Sequence, residues 1–271
     1  MLKVKYFELL VMVIVFCFFI ILDILLKFLH MLLNSLNLDK VLFLDIETAP
    51  QVYNPNELSD EARKLFATKA RVSPDDIDAF TEAYSRSSSI MAEFGKIICI
   101  SVGFIRETST GRQMRLKSFY HDDEETLLLQ FKRLMDEHYN TPYHILCGHN
   151  AKEFDFPYIC RRMLINGIEL PKILSIAGKK PWEIAHLDTM ELWKFGDFKA
   201  YTSLALLCHV FQIPTPKDDI SGADVARVYY EENNLERIKV YCEKDVAALI
   251  QLFLKMQGES MIDEGEIYFS S

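Results

Sequence analysis

The chain has 271 residues, half of them apolar and a quarter charged, with 10 Gly and 9 Pro. This composition excludes a disordered or fibrous protein and fits one domain of about 200 residues plus an appendage. A net charge of -9 argues against a protein that coats nucleic acid by charge alone, though not against a carboxylate site whose bound cations meet phosphate.

Charge is unevenly spread. Between Cys160 and Lys217 there are eight Lys/Arg against five Asp/Glu, so this stretch is the better source of phosphate contacts. The six cysteines (Cys17, Cys99, Cys147, Cys160, Cys208, Cys242) form no C-x-x-C pair and have no His at zinc-ligand spacing. They read as reduced thiols.

From Leu9 to Leu26 the chain is apolar except for Asp23 and follows Lys3 and Lys5, which meets the length of about 18–20 residues for a membrane span. No A-x-A cleavage site follows, which disfavours a secretory signal peptide. Two readings stand: an uncleaved membrane anchor, or translated upstream sequence with Met31 as the true start, since MLLNSLNLDK runs straight into the first strand. Residues 1–35 are therefore set apart from a domain at 40–258, with an insertion at 54–89 and a tail at 259–271.

The predicted elements follow in order. VLFLDIE after Asp39-Lys40 reads as a buried strand, bounded by Thr48-Ala49-Pro50. The insertion holds two predicted helices, one after Asn54-Pro55-Asn56 and one from Ser73-Pro74 with Asp75 and Asp76 in its first turn; it is either a flap near the substrate or a solvated decoration. Strands are predicted at Lys96–Ile105, Arg112–Tyr120 and Tyr143–Cys147, and a helix at Glu124–His138 through Leu127, Leu128, Phe131, Leu134 and Met135. From Tyr201 the chain reads as helices, the last from Leu235 to Met256. Strands first, then helices alternating with strands, indicate an α/β fold with a mixed sheet flanked by helices.

Three acidic elements lie within this frame. Asp45 and Glu47 are two apart on the first strand, so both carboxylates share one face, and a cation is the simplest remedy for like charges held together. The bland alternative is a strand ending in two solvated acids. Gly148-His149-Asn150-Ala151-Lys152-Glu153-Phe154-Asp155 follows a strand and opens a helix, which is where open α/β sheets place ligands; an acid there is also a routine partner of the helix dipole. Tyr241 and Asp245 lie at i, i+4 on the last helix, where a tyrosine can equally be a satisfied core hydroxyl.

In this order and at these separations, the motifs Phe43-Leu44-Asp45-Ile46-Glu47-Thr48, Gly148 through Asp155 and Tyr241 through Asp245 resemble the DEDDy branch of the DnaQ-like 3′-5′ exonucleases, on a ribonuclease H-like fold. More narrowly, the chain resembles predicted exonucleases related to the proofreading domain of B-family DNA polymerases. Asp188-Thr189-Met190-Glu191-Leu192-Trp193 and Pro216 through Gly222 resemble this subgroup too, and the likeness runs from Val41 to Gln257.

The resemblance implies two divalent cations, Mg²⁺ or Mn²⁺, held by Asp45, Glu47, Asp155 and Asp245. Asp45 would bridge both, Glu47 and Asp245 would complete the first, and Asp155 would support the second through water. Tyr241 would position the attacking water, since a phenol with pKa near 10 is a poor base at neutral pH. Thr48, His149, Asn150, Phe154 and Arg161 are the expected substrate contacts; Phe154, Phe156 and Tyr158 read equally as core filling. Arg162, Lys179, Lys180 and Lys199 are further candidates for phosphate.

The implied substrate is the 3′ end of single-stranded nucleic acid, DNA favoured over RNA. A 3′-5′ exoribonuclease of the ribonuclease D type and a catalytically inactive binding module are the alternatives. The catalytic domain is expected in the cytoplasm, or anchored at the membrane through residues 9–26 if 1–30 are retained. With no polymerase or helicase sequence in this chain, a proofreading role would require a replication or repair partner.

Overall fold

The computed structural model describes residues 36–180, 183–197, 199–214 and 219–270. The apolar run from Leu9 to Leu26, with its anchor and Met31 readings, lies outside them. Among the described residues no helix is long and apolar enough to cross a membrane.

In chain order the elements are β1 (Val41–Pro50), α1 (Asp60–Ala70), α2 (Ile77–Ser87), β2 (Gly95–Thr108), β3 (Gly111–Tyr120), α3 (Glu124–His138), β4 (Ile145–Gly148), α4 (Asp155–Ile165), β5 (Leu187–Asp188), α5 (Thr189–Lys194), α6 (Leu204–Phe211), α7 (Val225–Tyr230), α8 (Leu235–Met256) and β6 (Ile267–Ser270). The strands form one six-stranded sheet in the order β5-β4-β1-β2-β3-β6. β1 runs antiparallel to β2 and parallel to β4, and β6 runs parallel to β3. The α/β class and the mixed sheet flanked by helices are as expected.

Strand parity sorts the core. Leu42, Leu44 and Ile46 on β1 pack against Leu127, Phe131 and Met135 of α3 and Phe156, Ile159 and Met163 of α4. Val41 and Phe43 face the other way, onto Val246, Leu249, Ile250 and Phe253 of α8. The Phe43 and Phe253 rings meet edge-on, 5.3 Å apart. Asp45 and Glu47 share the parity of Phe43, so the face they occupy is the one α8 covers.

β1 outruns its parallel neighbour. β4 pairs only with Val41–Phe43, while β2 follows β1 to Pro50 through a register shift between Glu47 and Thr48. The carboxyl-terminal half of β1 is thus open along one edge, next to the loop that follows β4.

Two segments differ from the sequence-based expectation. The second helix of the insertion begins at Ile77 instead of Ser73-Pro74, because Asp76 caps it by accepting the Ala79 N–H at 3.1 Å, which leaves Asp75 outside. The two insertion helices share a small core in which Phe66 meets Phe80, Tyr84 and Phe94 edge-on. The segment after Gly258, expected to be a tail, belongs to the domain. Gln251 exchanges two hydrogen bonds with the Ile262 backbone, at 2.7 and 2.9 Å, and β6 then extends the sheet beyond β3.

Arg162 sits in the buried stripe of α4, only 3% exposed. Its guanidinium clasps the Glu124 carboxylate and donates to the Ala92 carbonyl at 2.8 Å, while Glu124 also accepts the Ile97 N–H at 2.7 Å. It is therefore part of the frame and not a phosphate contact; its neighbour Arg161 is exposed. Arg162→Met should destabilise the fold by about 3–5 kcal/mol, because the buried Glu124 charge loses its partner. Arg161→Met should stay within about 0.5 kcal/mol. Urea unfolding of the two variants checks both figures.

Candidate active site

Four acids and a tyrosine converge on the carboxyl-terminal half of β1. Glu47, Asp155, Asp245 and Tyr241 are buried and Asp45 is half-buried. β1 supplies Asp45 and Glu47 on the face toward α8, and one turn of α8 supplies Tyr241 and Asp245. The Tyr241 hydroxyl hydrogen-bonds the Asp245 carboxylate. Asp155, the first residue of α4, arrives past the end of β4, where its Oδ1 accepts the Ile46 N–H at 3.2 Å. That N–H lies on the open edge of β1, so the bond both satisfies a buried donor and brings Asp155 to the other acids.

This arrangement is electrostatically costly without a cation. Burial, reinforced by the nearby charges of Asp155, Asp245 and Glu47, holds the Asp45 carboxyl well above the usual carboxylate range. Burial likewise pushes Asp155 up to about 7, against the lowering effect of backbone hydrogen bonds, including that from Ile46. The Tyr241 phenol is raised by burial and then by Asp245 and Glu47, which keeps it protonated.

Ligand atoms of Asp45, Glu47 and Cys242 lie within 4.8 Å of one another, and the Cys242 thiol points at Asp45 Oδ2 from 3.6 Å. Clustered carboxylates that repel one another suit a hard divalent cation.

The folded value of Asp155, about 7, exceeds the ordinary 3.8, so the folded state binds more protons than the unfolded one between those values, and stability is lost as pH rises through that interval. In chelator, the protein should melt at a higher temperature at pH 6 than at pH 8. Millimolar Mn²⁺ should stabilise it more at pH 8 than at pH 6, where protons compete. Thermal denaturation with and without cation checks both.

The loop between β4 and α4 is held by a residue whose role the sequence did not suggest. Asp188, at the end of β5, is 4% exposed. It accepts the backbone N–H groups of Asn150 at 2.9 Å, Lys152 at 3.0 Å, Met190 at 3.0 Å and Glu191 at 3.4 Å. It thereby caps α5 and fixes the loop in which Asn150 adopts a left-handed φ of 63°. The signal available in the sequence was an Asp directly before a short helix.

Of the expected substrate contacts, Asn150 lies on this loop beside the acids and Thr48 directly follows Glu47. His149 has both ring nitrogens engaged inside the protein, Nδ1 with the Thr189 hydroxyl at 2.8 Å and Nε2 with the Thr202 carbonyl at 2.9 Å. Because a carbonyl only accepts, Nε2 carries the proton, and burial lowers the pKa to keep the ring neutral. Phe154 is partly buried against Tyr158, whose own hydroxyl donates to the Ser89 carbonyl at 2.6 Å. Phe156 is wholly buried.

A family model described as a predicted 3′-5′ exonuclease related to the exonuclease domain of PolB matches residues 88–266. The chain belongs to this family. The matched span contains Asp155, Tyr241 and Asp245, while Asp45 and Glu47 lie before it. Among solved structures, the chain is similar to a family B DNA polymerase from the hyperthermophilic archaeon Pyrobaculum calidifontis, with a TM-score of 0.47 and 16% identity. That similarity covers 79% of this chain and 24% of the polymerase, so the chain spans about a quarter of that protein. No curated protein matches the chain.

Proposed function

We propose that this chain is a metal-dependent 3′-5′ exonuclease of the DEDDy type that hydrolyses phosphodiester bonds at the 3′ end of single-stranded DNA. The observation that carries the reading is the convergence of Asp45, Glu47, Asp155 and Asp245 from three separate elements onto one buried point, with Tyr241 beside them. The relation to a DNA polymerase's exonuclease domain favours DNA over RNA as substrate.

The residues divide the work by their chemistry. Asp45, Glu47, Asp155 and Asp245 would hold two divalent cations, Mg²⁺ or Mn²⁺, as oxygen donors. Bound there, the cations supply Lewis acidity for activating water and for offsetting charge on the leaving 3′ oxygen. Tyr241 stays protonated and orients the attacking water through its hydroxyl instead of removing a proton. Asn150 and Thr48 contact the terminal nucleotide, and exposed Arg161 is available to phosphate.

The test is digestion of matched 3′-labelled strands, DNA and RNA, single and double, with Mn²⁺ or with EDTA. Asp45→Ala and Asp155→Ala should each reduce turnover by at least about 1000-fold, and Tyr241→Phe by about 10–100-fold, on the scale of lost transition-state contacts. Digestion that persists in EDTA, or in Asp45→Ala, contradicts the reading. Faster digestion of RNA than DNA assigns the chain to the exoribonuclease alternative instead.

A further inference from the structure

We infer that the cavity beside the Asn150 loop is a subsite for the strand upstream of the cleaved bond, taking single-stranded nucleic acid by its phosphates and base faces. The inference rests on the nuclease reading above and adds residues that the chemistry does not use. The cavity measures about 700 Å³ and is lined by Asn150, Lys152, Lys179, Met190, Lys194 and Gly196, among others. It opens at the carboxyl ends of the parallel strands β4 and β5, where Asp188 forms part of its wall. A strand whose last nucleotide meets Asn150 can continue directly into it.

The lining offers that occupant hydrogen-bonding and cationic contacts. Three lysines from three segments line the cavity, together with the acids Glu153, Asp188 and Glu191. Lys152 pairs with Glu191 at 2.6 Å and Lys194 approaches Glu153 at 4.0 Å, but both acids are more than half exposed. With the carboxylates facing solvent, phosphate can replace them on the lysines.

Next in sequence between the lining residues Lys194 and Gly196, Phe195 is 80% exposed and held at φ 44°. A phenylalanine in left-handed backbone with an uncovered ring gains nothing from packing, and a stacked base would cover it. Tyr201 is 64% exposed, and the Lys194 ammonium lies 4.2 Å from its ring centroid, placing a cation and an aromatic face side by side.

The experiment is fluorescence anisotropy of 5′-labelled oligothymidylates, two to eight nucleotides long, bound to the full chain in EDTA so that no cleavage occurs. Affinity should rise with length in the wild type. Lys179→Ala/Phe195→Ala should lose about 10-fold on the longest strand and nothing on the dinucleotide, and restoring an aromatic ring with Phe195→Tyr should recover part of the loss. Both side chains are exposed, so the thermal melt should not move. A length profile in the double variant equal to that of the wild type, or an equal loss at every length, overturns the subsite. Digestion by the wild type with Mn²⁺ separates the two claims: without digestion but with the length effect, the nuclease reading fails alone; with digestion but without the length effect, the subsite fails alone.

Discussion

Mutual repulsion among carboxylates at the open edge of β1 is the constraint on which the rest of the site depends. Asp45 alone feels the charges of Asp155, Asp245 and Glu47, and burial removes the water that would screen them. Bringing such groups together costs stability, so the surrounding structure must hold them against the tendency to separate. Three rigid devices do so: the pleat of a central strand, one turn of a long buried helix, and a helix start tied to the strand by the Ile46 N–H.

Each device is anchored well away from the acids. α8 buries Val246, Leu249, Ile250 and Phe253 on the sheet and is locked at its far end by the Gln251–Ile262 pair. α4 is clamped to α3 by the Arg162–Glu124 ion pair, which sets where Asp155 emerges. The loop between β4 and α4 is pinned by Asp188 through four backbone N–H groups. The loop that carries Asn150 is therefore as well determined as the secondary structure around it, which suits a site that must hold a reacting group in one geometry.

Much of this was legible from residue spacing. Period two put Asp45 and Glu47 on one face, and the i, i+4 step put Tyr241 over Asp245, because both relations are local. The strand and helix bounds from Lys96 to His138 and from Leu235 to Met256 were readable for the same reason. What escaped depended on pairing between distant segments. Asp188 acquires its role only when a two-residue strand pairs with Cys147 and Gly148, forty residues earlier. β6 is four residues long and half exposed, so its place beside β3 has little local pattern to announce it. Arg162, a candidate for phosphate by its charge alone, falls on the same stripe as Ile159 and Met163; a charged side chain in a buried stripe calls for a buried partner, here Glu124.

These acids are proposed to form a site for a pair of divalent cations, and electron paramagnetic resonance of Mn²⁺ titrated into the protein is the decisive measurement. Two Mn²⁺ per chain with a spin-coupled signal are expected, with loss of that coupling in Asp45→Asn, whose side chain feels the charges of the other three acids. No bound Mn²⁺, or a signal unchanged by Asp45→Asn, would contradict it.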